Sequence, residues 1–162
     1  MTESAVLVDI SKTEARIRVS GRATFVFGPD LRELFLRLKK AGVLQVVVEA
    51  ADCVSMDSTF MGVLSMAVLD REGTAIALSI ANPSEKVVSQ LKGLGILRYF
   101  SLTERPCADA QWLPLGDLVR GLQKDEAVMR DTMIQAHEAL GAANPENVAK
   151  FRQVIELLKQ EK

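Results

Sequence analysis

Hydrophobic and polar positions alternate over the first twenty residues. Val6, Val8 and Ile10, then Ala15, Ile17 and Val19, fall on one side of two short strands, and the polar run Ser11, Lys12, Thr13, Glu14 between them suits a hairpin turn. The period then lengthens. After Gly28, Pro29 and Asp30, where proline fits a first helical turn, Leu31, Leu34, Phe35 and Leu38 step by three, one and three until Gly42 ends the helix. From Val43 to Val48 the run is apolar except for Gln45, as expected of a strand buried on both faces, and it leads through Glu49 to Val54 into a polar break at Asp57. Nearly every residue from Phe60 to Leu69 is apolar or small, which predicts a helix buried all round, closed by Arg71, Glu72 and Gly73. A strand over Ala75 to Ala81 follows. Asn82, Pro83 and Ser84 then make a turn and a cap for an amphipathic helix carrying Val87, Val88, Leu91 and Leu94, and Ile96 to Leu102 adds a short last strand.

Strands separated by helices of this length are joined by right-handed crossovers, so the body is expected to be an α/β fold. Its sheet is mixed and mostly parallel, of four to five strands packed with helices. Beyond Pro106 the pattern is helical only. Leu115, Leu118, Leu122, Met129, Met133, Ala136 and Leu140 recur at three- and four-residue steps, broken once at Glu126, and Asn144 and Pro145 restart a second helix with Val148, Phe151, Ile155 and Leu158. This divides the chain into a body over 1–103 and a C-terminal helical hairpin over 104–162. Two short amphipathic helices do not hide both stripes against each other, so the hairpin docks either on the body or on a second copy as a homodimer.

Composition narrows the classes of function. Twenty Lys and Arg against 21 Asp and Glu leave a net charge of −1, which argues against nucleic acid as a partner and against attraction to an anionic membrane. Neither a basic leader followed by an apolar stretch nor an apolar run approaching the roughly 18 residues of a membrane span is present, which points to a cytoplasmic protein without membrane insertion. Cys53 and Cys107 are isolated and read as small core residues rather than a disulfide or a zinc site.

The segment Met56, Asp57, Ser58, Thr59, Phe60, Met61, Gly62 concentrates the chemistry. It places two hydroxyls directly after a carboxylate, where a strand turns into an apolar helix. Free N–H groups and the positive end of the helix dipole make that position a seat for an anion, and a phosphate on Ser58 would be held there. The same residues also serve as a helix N-cap, a role compatible with the first.

Taken in order, the hairpin, helix, buried strand, Asp57-Ser58-Thr59-Phe60-Met61-Gly62, buried helix, strand, Asn82-Pro83-Ser84 and a helix with Leu91, Gly93, Leu94, Gly95, Ile96 and Phe100 resemble the STAS domain of bacterial anti-sigma factor antagonists, from about Ala5 to Leu102. That family carries Asp-Ser-Ser/Thr-Gly-Leu-Gly at the start of its second helix, and Asp57, Ser58, Thr59 and Gly62 match it in place. The resemblance implies phosphorylation of Ser58, with Thr59 as a second acceptor, by a serine kinase that doubles as the anti-sigma factor, and resetting by a phosphatase. It implies partner contacts at Asp57, Ser58, Thr59, Phe60, Met61 and Gly62, and at Arg22 and Thr24, which follow Gly21 where the family is often acidic. Phe60 and Met61 also stand where the family usually has Gly-Leu, and are expected to rim an apolar surface around Ser58.

Catalysis is not favoured by the sequence. His137 is the single histidine, far along the chain from Ser58, and reads as a helix-surface residue; no phosphate-binding Gly-rich loop or metal-ligand spacing occurs, so no cofactor and no metal are expected. Met56, Met61 and Met66 read as core fillers. Two functions remain. One is a module that binds a kinase/anti-sigma factor and is switched off by phosphorylation at Ser58. The other is a non-phosphorylated STAS scaffold or assembly subunit, as in a signalling particle or a lipid-transport complex.

Overall fold

The structure, a computed structural model, describes residues 3–69, 75–106, 110–122 and 124–161. The helix stop expected at Arg71, Glu72 and Gly73 and the second cysteine, Cys107, lie outside the described residues. The chain opens with β1 (Ala5–Ile10) and β2 (Glu14–Ala23), an antiparallel hairpin whose turn is closed by Ser11, which exchanges hydrogen bonds with the backbone of Glu14. A 3-10 turn over Phe25–Phe27 leads into α1 (Gly28–Lys40), with proline in its first turn and Gly42 beyond its end at φ +75°, a left-handed conformation that favours glycine. Next comes β3 (Gln45–Met56), then α2 (Ser58–Val68), β4 (Ala77–Ala81), α3 (Glu85–Gly93, capped by Ser84) and β5 (Ser101–Thr103). The tail holds β6 (Leu113–Pro114), α4 (Leu115–Leu118), α5 (Glu126–Ala143) and α6 (Glu146–Gln160).

The sheet order is β5-β4-β3-β2-β1-β6, with β2 to β5 parallel and β1 antiparallel to both of its neighbours. The mixed, mostly parallel α/β body is thus as the pattern predicts, with one strand more. That addition is β6, two residues laid against Leu7 and Val8, too short to leave a periodic signal.

Register explains why the body has a single core. Val8, Ile17, Val48 and Ile80 stand side by side across four strands, all fully buried, and α1 lays Leu31, Leu34, Phe35 and Leu38 into the same cluster. One residue earlier or later, the rows change character. Asp9, Arg16, Val47 and Ser79 form one, and Leu7, Arg18, Glu49 and Ala81 the next, with the Trp112 ring 4.4 Å from the Arg18 guanidinium. The period-two alternation of the sequence is this difference between the two faces.

The tail docks on the body. Its α5 packs along α2 and also meets α1, and α6 packs on α5. Among the described residues, no helix is long and apolar enough to cross a membrane.

Candidate functional site

Strand β3 runs on past its pairing with β4, which ends at Glu49, and its second half aims the chain at the site. Two register shifts against β2 lie there, and at the second Gly21 pairs with Cys53 and Arg22 with Ser55, so Val54 is an extra residue pushed out to the surface. Gly21 takes φ +70° at this place and packs against the backbone of Ser4, where a side chain would not fit. The bulged strand ends at Met56, whose N–H donates to the Gln90 side chain of α3, 2.9 Å away.

Asp57 then stops the strand and starts the helix. Its Oδ1 accepts from the Phe60 N–H (2.8 Å) as the N-cap of α2, and its Oδ2 accepts from the Phe25 N–H (2.7 Å), tying the 3-10 turn to the helix start. The Asp57 N–H in turn donates to the carbonyl of Ala23. Both carboxylate oxygens are thereby engaged with backbone, so Asp57 fixes the geometry of two loops rather than activating the hydroxyl beside it.

Ser58 is the first residue of α2 and is partly exposed. Its Oγ lies 2.9 Å from Nε2 of His137 on α5, and His137 Nδ1 lies 2.6 Å from the carbonyl oxygen of Met133. A carbonyl only accepts, so Nδ1 carries the hydrogen; in the neutral ring Nε2 is then the acceptor and Ser58 the donor. This corrects the reading of His137 as a surface residue remote from Ser58. It is 3% exposed, and the Phe151 ring of α6 stands 4.9 Å away on its other side. The two residues are 79 positions apart and meet only because α5 crosses α2. Serine beside histidine is also the start of a nucleophilic pair. Here, however, the second ring nitrogen is held by a backbone carbonyl instead of a carboxylate, and α5 lies across the hydroxyl. The other nucleophile candidate, Cys53, is buried, which pushes its thiol up to about 11 and keeps it protonated at neutral pH.

The remaining site residues divide into two groups. Arg22 is exposed and Thr24 partly so, next to Phe25 and Val26, which are 43% and 57% exposed on the turn that Asp57 anchors. Thr59, Phe60, Met61 and Gly62 all lie inside. Phe60 and Met61 therefore form no exposed rim, a correction with a simple cause: α2 faces the sheet on one side and α5 on the other. Thr59 is 3% exposed with its methyl near Gly28, which leaves Ser58 as the reachable hydroxyl of the pair. Gly62 is required by the second helix, because a Cβ there would overlap the carbonyl of Ala136. The apolar surface near Ser58 is instead Phe25 and Val26, with Val54 exposed at the same end of the sheet. In the sequence, three hydrophobic residues in a row, Phe25-Val26-Phe27, just before a proline-started helix were the available sign.

No family model and no curated protein matches the chain. Solved structures do. The unphosphorylated form of the anti-sigma factor antagonist SpoIIAA superposes with a TM-score of 0.52 at 16% identity, covering 64% of this chain and 90% of that one. A Thermotoga maritima protein proposed to be an anti-sigma factor antagonist superposes with a TM-score of 0.53 at 15% identity, over 60% of this chain and 85% of its own. In its α/β body, therefore, this chain has the fold of anti-sigma factor antagonists, the fold that its resemblance to STAS domains implies.

Proposed function

We propose that the chain is a protein-binding regulatory module of the anti-sigma factor antagonist type. Ser58 is its phospho-acceptor, and its partner is a serine kinase that doubles as an anti-sigma factor, with a phosphatase to reset it. The observation that carries this reading is the placement of Ser58: a partly exposed hydroxyl at the first position of an 11-residue helix, directly after a cap whose two oxygens are already satisfied, in a fold shared with anti-sigma factor antagonists. The partner face comprises Arg22, Thr24, Phe25 and Val26 around Asp57 and Ser58. A phosphate at Ser58 adds about −1.5 to −2 charges at a helix N-terminus that tolerates them, so the fold survives modification. The interface does not, because a partner covering Ser58 must desolvate that charge, and a loss of about 3 kcal/mol is roughly a hundredfold in affinity.

The test is capture from lysate of the source organism on wild-type, Ser58→Ala and Ser58→Asp baits, with mass spectrometry of the captured proteins and of phosphate on the bait. A histidine-kinase-like ATPase held by wild type and Ser58→Ala but lost by Ser58→Asp is the expected result. Equal capture on all three baits, with no phosphate at Ser58 or Thr59, defeats it. That second outcome favours a constitutive scaffold or assembly subunit, a reading supported by the Ser58 hydroxyl already being bonded to His137 within the chain.

A further inference from the structure

The face of α2 that carries Ser58 is only partly open, because the chain's own tail lies along it. Gly62, one turn after Ser58 on the same helix, meets the backbone of Ala136 so closely that no side chain fits between them, and Ser58 is joined to His137 at 2.9 Å. Behind α5, the α6 helix supports the histidine through Phe151 and locks the hairpin with Asn147, whose side-chain amide donates to the carbonyls of Leu140 and Leu94. The inner face of α5 joins the core through Ala136, Leu140 and Ala143, but it brings few large apolar side chains there. Its buried residues are Thr132, Ala136, His137, Leu140 and Ala143, a single large aliphatic side chain among small and polar ones, and its outer fastenings are polar: Arg32 to Asp131 and Gln135, and Arg98 and Tyr99 to the carbonyl of Ala143.

From this we infer that the α5–α6 hairpin is an intramolecular latch, a built-in competitor that holds the α2 face closed and is expelled when Ser58 is phosphorylated. The inference rests on the reading of Ser58 as the acceptor. In the transfer, the Ser58 O–H is replaced by O–P, the bond between the γ-phosphorus of a nucleoside triphosphate and its bridging oxygen breaks, and the nucleoside diphosphate and the hydroxyl proton leave. Phosphorus and three further oxygens set along the present Ser58–His137 bond would run into the imidazole 2.9 Å away, so the phosphorylated side chain loses this contact with α5. Closure through that bond and modification therefore exclude each other. By linkage, whatever opens the latch exposes Ser58 to its kinase, and phosphate in turn keeps the latch open.

Amide hydrogen–deuterium exchange on the full chain tests this without the kinase. Three proteins are compared: wild type, the chain with phosphoserine incorporated at position 58 during translation, and Gly62→Ala, which wedges α2 away from α5. Exchange in α5 and α6 is expected to rise at least tenfold in the second and third proteins, while β2 and β3 keep their wild-type protection. Wild-type exchange of α5 in either of them, or opening of α5 only together with β2 and β3, overturns the latch. Should Gly62→Ala fail to fold, the phosphoserine protein decides. Absence of phosphate on Ser58 in cells would defeat the switch reading while leaving this exchange result standing, so the two failures are distinguishable.

Discussion

Asp57 is the residue on which the local geometry turns, since one carboxylate holds both the start of α2 and the turn that carries Phe25 and Val26. Removing it uncaps the helix and leaves the Phe25 N–H without its acceptor, so Asp57→Ala should cost about 2 kcal/mol. For a chain of this size that lowers the melting temperature by roughly 4–8 °C, measurable by calorimetry. Asp57→Asn, which keeps an acceptor oxygen for one of the two N–H groups, should lose about half as much; an unchanged melting temperature in the alanine variant would show that the cap contributes nothing. Asp57 and Ser58 were legible as a cap and a hydroxyl because both roles are local in sequence. His137 was not, since a histidine in an amphipathic helix carries no mark of what crosses it 79 residues earlier. Gly62 was legible only as a motif match and an implied partner contact; the backbone that approaches it belongs to the chain itself.

Among the elements, α1 and α5 differ in how they are held. The former buries Leu31, Leu34, Phe35 and Leu38, each contributing about 1.5–3 kcal/mol, whereas the latter buries one leucine with alanines, a threonine and a histidine. The helical periodicity of the tail was readable, and its docking face in part. Of the stripe Met129, Met133, Ala136 and Leu140, the last two are buried against the body together with Thr132 and Ala143, whereas Met129 and Met133 line a cleft with Leu158 of α6. Nor does the boundary between body and tail fall where the helical pattern begins. Leu115 and Val119 are buried in the main core, β6 pairs with β1, and Lys124 reaches Asp30 at 3.1 Å. A chain ending at Lys124 should therefore unfold cooperatively in urea, whereas one ending at Pro106 should be less stable than it by roughly 3 kcal/mol or more, through loss of those two buried side chains. Equal urea midpoints for the two truncations would place α4 and β6 outside the folded body.

At the scale of the whole molecule, seating α5 on α2 withdraws the helix face that a homodimer of tails would have used. What remains outward is α6, where the exposed Val148, Val154 and Leu157 stand among charged residues such as Lys150, Glu156 and Lys159. Light scattering at micromolar concentration should accordingly return the monomer mass of 17.7 kDa, and a doubled mass would show that the tails exchange between copies. The two faces of β1 and β2 were readable from alternation, and the doubly buried start of β3 from its continuous apolar run; the strand β6 was not readable, because two residues have no period. That small strand has an effect out of proportion to its length. It lies against the middle of β1 and leaves only the ends of β1 unpaired on that border, while β5 on the opposite border is three residues long. Neither border offers a template on which a neighbour's backbone could extend the ladder, which protects the chain from ribbon-like aggregation and restricts its encounters with other proteins to helices and turns.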